Sequence, residues 1–214
     1  MKLYSIDASP YAARVRVSIY AKKLPIEIVA PPTGGMKSAE YLALNPLGKA
    51  PLLVLDDGAS IPESETIVEY LEDAFPDPSL RPHGPEARAR VRLIARVAEL
   101  YVIGPITTLF PQLDPTRRDP AAVDAALARI DDGLGHLEHF MGRGPYAAGE
   151  KFTIADGEVA TALFFLKYIL GRFDRLDVAA GHERLEAYME TAAQDPVLAK
   201  VFDEMASGMK NARR

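Results

Sequence analysis

Glu63 and Ser64 set an acid and a hydroxyl side by side at what reads as the start of a helix, an arrangement suited to holding a small anion. The first turn of a helix offers unpaired N–H groups and a partial positive charge, so a ligand carboxylate can dock there, and Glu63 beside it can grip an ammonium. The elements that must position this pair surround it in the chain. Ile67, Tyr70, Leu71 and Ala74 recur at three- and four-residue spacing and mark one face of a helix, which makes Ser64 its expected cap. Upstream, Pro51 heads the apolar run Leu52-Leu53-Val54-Leu55, Asp57-Gly58 is a tight-turn dipeptide, and Ala59 to Ile61 is a second strand-like segment. Residues 52–62 therefore read as a hairpin. Pro51 is a residue type at which a cis peptide bond costs little, and a cis bond before it would suit a site. A proline at a strand head also leaves the backbone groups of Ala50 open to an extended peptide lying alongside.

The amino-terminal end supplies a strand, a turn and a helix. Lys2 to Ile6 is a β-type run, Ser9-Pro10-Tyr11 turns the chain, and Ala12, Val15 and Ile19 form a helix face that ends before Pro25. Ile26 to Val29 reads as another strand. The loop Ala30-Pro31-Pro32-Thr33-Gly34-Gly35 follows, then Lys37 to Leu44.

The proline-headed hairpin followed by Glu63-Ser64 and a helix resembles the glutathione-binding half of the cytosolic glutathione transferases, a thioredoxin-like domain, and the resemblance extends over nearly the whole chain. The Ser9-Pro10-Tyr11-Ala12 tetrad resembles the thioredoxin redox motif with both cysteines replaced, and the chain has no cysteine at all, so thiol–disulfide exchange is excluded. What remains at the helix start is a hydroxyl. This resembles the serine-type, bacterial-like transferases and implies that Ser9 is the catalytic donor to the glutathione sulfur. Tyr11 and then Tyr4 rank behind it as phenol donors.

The resemblance implies a glutathione S-transferase that activates the thiolate of its co-substrate glutathione for attack on a small hydrophobic electrophile, working as a homodimer. It places Lys37, Lys49, Ala50, Pro51, Glu63 and Ser64 around glutathione, the lysines toward its glycine end. Tyr11, Tyr101, Phe110, Phe165 and Tyr168 would line the second substrate's pocket, although aromatic residues at helical spacing often serve as plain core. Serine-type relatives conjugate, dehalogenate, isomerise or cleave ethers, and the Ser-Ser-Cys turn of the isomerase class is absent at Ser9. The alternative, from another functional class, is a non-catalytic transferase-like interaction module. A hydrolase reading of Ser9 would need a positioned His and acid in a Gly-flanked elbow, and none surrounds it.

Magnitudes support a serine donor. A thiol with a pKa of about 8.5 is mostly protonated at neutral pH, and each unit of depression takes about 1.4 kcal/mol in favour of the thiolate. A hydrogen bond to a charged group contributes roughly 1.5–3 kcal/mol and a helix amino terminus roughly 0.3–1 more, enough for a shift of about one to three units.

The rest of the chain sets the organisation. The segment Phe75–Pro85 contains four prolines that interrupt the pattern, and strand signals end by residue 62. The expected division is a thioredoxin-like α/β domain over 1–75, a linker over 76–85 and an all-α helical bundle over 86–214. In that second half Val91, Ile94, Ala95, Ala98 and Val102 form a stripe that Gly104-Pro105 should end or kink. Val123, Leu127, Ile130, Leu134, Leu137 and Met141 mark a surface helix of the bundle. Ile154 to Leu170 is apolar nearly all round and opens on the capping box Thr153-Ile154-Ala155-Asp156, which makes Asp156 structural. Two further helices are expected at roughly 180–191 and 196–209.

Net charge is −5, and the basic cluster Lys210, Arg213 and Arg214 is a short tail, so nucleic acid is not indicated. No apolar core of secretory length opens the chain and no run approaches eighteen consecutive apolar residues, so no membrane partner is expected and the location reads as cytoplasmic. Without cysteine there is neither a disulfide scaffold nor a zinc–thiolate site. Asp132, His136 and His139 share a helix face with metal-like spacing, but that face lies opposite the apolar stripe, and no functional metal is assigned to it.

Overall fold

The structure, a computed structural model, describes residues 1–211, so Arg213 and Arg214 lie outside the described residues. The chain divides into two compact units, one built from Met1–Leu80 together with the chain from Pro196 onward, the other from Arg81–Asp195.

In the first unit β1 (Lys2–Tyr4) leads to α1 (Pro10–Ala21), then β2 (Glu27–Val29), α2 (Ala39–Leu44), β3 (Leu52–Val54), β4 (Ser60–Pro62) and α3 (Ser64–Ala74). The sheet order is β2-β1-β3-β4, with β1 and β2 parallel and the other pairs antiparallel. The hairpin expected over 52–62 is present. Gly58, at φ +88, supplies the left-handed backbone its turn requires, and the Asp57 carboxylate accepts from the Ala59 N–H at 2.9 Å. α1 is buried on nearly every side from Pro10 to Ile19, including Arg14 and Arg16, which makes it a central helix. α3 buries Ile67, Val68 and Leu71, as its spacing indicated.

In the second unit α4 (Pro85–Val97) passes into a π-helical turn over Ala98–Ile103, a single turn of α5 (Gly104–Ile106) and a 3₁₀ stretch over Thr107–Leu113. The departure from α-helix therefore begins at Ala98, before the Gly104-Pro105 pair that the sequence marks. Gly133 accounts for the accommodation, because it lies against the Tyr101 carbonyl, where a Cβ would come within 1.9 Å of the oxygen. An 18-residue window within Pro85–Leu113, with a mean hydropathy of 1.5, is long and apolar enough by length and composition alone to cross a membrane. The segment's apolar side chains Val91, Ile94, Val97, Val102, Ile106 and Leu109 are buried, and the segment packs on α6 (Pro120–Phe140) and α7 (Ile154–Leu170). α7 occupies the core with the capping box formed as expected. α8 (Glu183–Gln194) completes this unit.

The last helix, α9 (Pro196–Asn211), does not group with the bundle in which the sequence reading placed it; it packs on α1 in the first unit. Glu204 is the reason. It pairs with the buried Arg16 of α1 at 2.9 Å and accepts from the Tyr20 hydroxyl at 2.8 Å, and no periodicity argument reveals such partners.

Candidate active site

Strand register brings the sequence-predicted segments to one end of the sheet. Tyr4 pairs with Leu52, and Leu52 pairs with Pro62. The loop into Ser9, the Ala50-Pro51 strand head and the Glu63-Ser64 helix start therefore leave the sheet at the same edge. Tyr4 also pairs with Val29 in parallel, so the loop after β2, which carries Lys37, departs from that end too.

Ser9 is the N-cap of α1, with φ −80 and ψ 123, and Pro10 follows at the first helical position, where its fixed φ suits the helix. The Ser9 Oγ accepts from the Ala12 N–H at 3.3 Å. A hydroxyl has one proton to donate, and no bond within the described residues uses that of Ser9. Tyr11 is half-buried, with the Arg14 guanidinium 5.0 Å over its ring. Tyr4 stands on β1 with its ring edge-on to Tyr41 at 5.6 Å, a packing role.

The Ala50–Pro51 peptide bond is cis. Neither the N–H nor the carbonyl of Ala50 is used within the described residues, so an extended peptide can pair with it. The Lys49 carbonyl just before it is held twice, by the Tyr41 hydroxyl at 2.8 Å and the Asn45 side-chain amide at 2.8 Å. Burial pushes the Tyr41 phenol up, so it remains a neutral donor. Sequence reasoning missed both residues; the available signal was an Asn directly past a helix end. Lys49 extends an exposed ammonium. Lys37 is exposed as well, its Nζ 3.5 Å from the Leu47 carbonyl.

Ser64 is not the cap of α3, as the sequence suggested. Glu63 occupies the N-cap position and Ser64 is the first helical residue. The hairpin delivers Glu63 at φ +68 and ψ 117, a backbone region that costs a non-glycine residue about 1–3 kcal/mol and is concentrated at functional sites. With the chain turned this way the Glu63 carboxylate is exposed, the Ser64 side chain is buried, and no side chain caps the helix. At the start of α3 the N–H groups of Ser64 and Thr66 have no partner within the described residues and are open to an anion.

The aromatic residues assigned to a second-substrate pocket fall into separate groups. In the helical unit Phe110 and Phe165 meet edge-on with centroids 6.4 Å apart, and Tyr168 is half-buried on α7. Tyr101 instead packs edge-on against His136 of α6 at 5.7 Å.

The family model for the glutathione S-transferase N-terminal domain matches residues 3–79, and that for the glutathione S-transferase C-terminal domain matches residues 120–191. The chain is 38% identical over 172 residues to a maleylacetoacetate isomerase of Pseudomonas aeruginosa, a match covering 77% of this chain and 80% of that protein. It is 28% identical over 214 residues to glutathione S-transferase 2 of Saccharomyces cerevisiae, covering 95% of this chain and 90% of that protein. A glutathione S-transferase structure from Methylobacillus flagellatus with GSH bound superposes with a TM-score of 0.78 at 26% identity, covering 94% of this chain and 98% of that one. Both halves of the molecule thus match the same family, one model ending just past the Glu63-Ser64 helix and the other spanning α6 and α7, and the chain belongs to the glutathione S-transferase family.

Proposed function

We propose that Ser9 is the thiolate-stabilising donor of this glutathione transferase and that Glu63, Ser64 and Ala50 hold its co-substrate glutathione. The observation that carries this reading is the Tyr4–Leu52–Pro62 register, which sends three segments with unused polar groups out of one sheet edge. Glu63 takes the ammonium of the γ-glutamyl end, while the Ser64 hydroxyl and the uncapped amides of α3 take its carboxylate. Ala50 pairs through its backbone with the central residue of the peptide, directed by the Pro51 strand head, and Lys49 with Lys37 offers charge to the terminal glycine carboxylate. That alignment carries the sulfur toward Ser9. The Ser9 oxygen accepts from the Ala12 N–H, so its O–H is left to donate a hydrogen bond to the sulfur; the thiol proton leaves to solvent and the hydroxyl keeps its own. The thiolate then attacks the electrophilic carbon, a carbon–sulfur bond forms, and the leaving group departs with its electron pair. Ser9 is never itself the nucleophile.

The electrophile is a small hydrophobic compound, for which Tyr11, two residues past Ser9 on α1, is the candidate contact in the first unit. The active species is a homodimer, as expected for the family, with a doubled molar mass by light scattering. The family relatives support an enzyme over a non-catalytic interaction module. A second reading, isomerisation, is favoured by the 38% identity to a maleylacetoacetate isomerase, but the tetrad Ser9-Pro10-Tyr11-Ala12 lacks a cysteine. Steady-state assays separate them. Turnover of an activated aryl halide that collapses in Ser9→Ala, with glutathione affinity by calorimetry lost in Glu63→Gln, supports the proposal. Aryl halide turnover undiminished in Ser9→Ala contradicts it.

A further inference from the structure

The loop Ser5–Ala8 that delivers Ser9 is gripped by a residue the proposed chemistry does not use. Arg16 is 1% exposed, and its guanidinium donates to the Ser5 Oγ at 2.7 Å, the Ile6 carbonyl at 3.3 Å and the Asp7 carbonyl at 2.9 Å. A buried guanidinium needs a counter-charge, and Glu204 of α9 supplies it at 2.9 Å from Nε. Glu204 is itself held by the Tyr20 hydroxyl at 2.8 Å and by the Lys200 ammonium one turn before it. One turn after it comes Gly208. A Cβ there would lie 2.6 Å from the Ala8 nitrogen and 2.7 Å from the Asp7 Cβ, so only glycine lets α9 come this close to the loop. The helix therefore reaches the same four residues twice, through Glu204 and Arg16 and directly at Gly208.

We propose that α9 is a buttress that sets the position of the Ser9 hydroxyl, with Arg16, Glu204 and Gly208 as positioning residues for thiolate stabilisation. The proposal rests on the reading of Ser9 as the thiolate donor. A single hydrogen bond weakens steeply with misalignment, and a displacement of about 1 Å at a reacting group can cost on the order of 100-fold in rate. Arginine suits the task because its planar guanidinium spreads five donors over three nitrogens in a rigid fork, and so reaches acceptors lying farther apart than the single nitrogen of a lysine can. Gly208 is informative for a separate reason. Alanine is the better helix former, so on helix propensity alone Gly208→Ala should leave the protein as stable or more so, whereas the close approach makes it push on the Ala8 backbone.

The test is the pH profile of kcat/KM for glutathione with an activated aryl halide, using the full chain and the variants Gly208→Ala, Glu204→Gln, Ser9→Ala and, as a control on the exposed face of α9, Ser207→Ala. The expected result is a limb displaced upward by about one unit, equivalent to about a 10-fold loss below it, in Gly208→Ala and Glu204→Gln. KM for glutathione and the circular dichroism spectrum should stay near wild type, and Ser207→Ala should match wild type throughout. A limb displaced in Ser9→Ala but unmoved in Gly208→Ala overturns the buttress alone. A limb unmoved in Ser9→Ala overturns the reading of Ser9 and the buttress with it. If Glu204→Gln does not fold, Gly208→Ala decides.

Discussion

Lys22 and Glu72 form a wholly buried ion pair, Nζ to Oε1 at 2.7 Å, across a separation of 50 residues. The ammonium also donates to the Pro78 carbonyl at 2.5 Å, and the second carboxylate oxygen accepts from the Leu80 N–H at 3.0 Å. The pair thus ties the end of α1 and the last turn of α3 to the last residues of the first unit's leading segment. Removing one partner leaves an uncompensated buried charge, so Lys22→Met or Glu72→Leu should each cost about 3–5 kcal/mol in urea unfolding. A cost below about 1 kcal/mol, the level of a surface pair, would contradict the account.

Asp156 should give the helical unit a signature in pH. Burial pushes its carboxyl up from 3.8 to about 6, against the hydrogen bonds it accepts from the Ala147 and Thr153 N–H groups and the Thr153 hydroxyl. A raised carboxyl pKa means that the folded state holds the proton more tightly than the unfolded state. This contribution is therefore fully present below pH 3.8 and lost as pH rises to about 6. The loss is about 3 kcal/mol. Subtracting the stability curve of Asp156→Asn from that of the wild type should expose the downward slope; a flat difference between those limits would refute it.

Gly133→Ala tests the packing of α6 on the π-helical turn. The obstacle is the Tyr101 backbone carbonyl, 1.9 Å from the added carbon, and backbone cannot rotate away as a side chain can. Overpacking of this kind costs about 1–3 kcal/mol, which outweighs the helix-propensity gain of up to about 1 kcal/mol. A raised melting temperature would show that the turn yields freely.

Tyr41→Phe should act on glutathione binding more than on stability. It removes one of the two bonds on the Lys49 carbonyl, a change of about 1 kcal/mol, while the Asn45 amide still satisfies the oxygen. The expectation is a several-fold rise in KM for glutathione with kcat little changed. Equal falls in kcat and kcat/KM would place Tyr41 in the chemical step instead.

The hairpin, the Ser9 turn, the α7 capping box and the spans of the amphipathic helices were legible because turn chemistry and periodicity are local signals. The α9 assignment was not, since its place depends on Glu204 meeting Arg16 and Tyr20 across nearly the whole chain. The Lys22–Glu72 pair and the Tyr41–Lys49 bond were hidden for the same reason. Ser64 was misplaced by one position because the cap is made by the backbone turn at Glu63, at φ +68, and not by the residue type that usually signals a cap. The site segments were still found, because the residues that leave the sheet edge carry their own turn and helix-start signatures.

The role of Ser9 is decided by a pH titration of the thiolate absorbance of glutathione bound to the wild type and to Ser9→Ala. The thiol pKa should be depressed by about one to three units in the wild type and return toward its free value of about 8.5 in the variant. Equal depression in both proteins, or none in either, would contradict Ser9 as the donor.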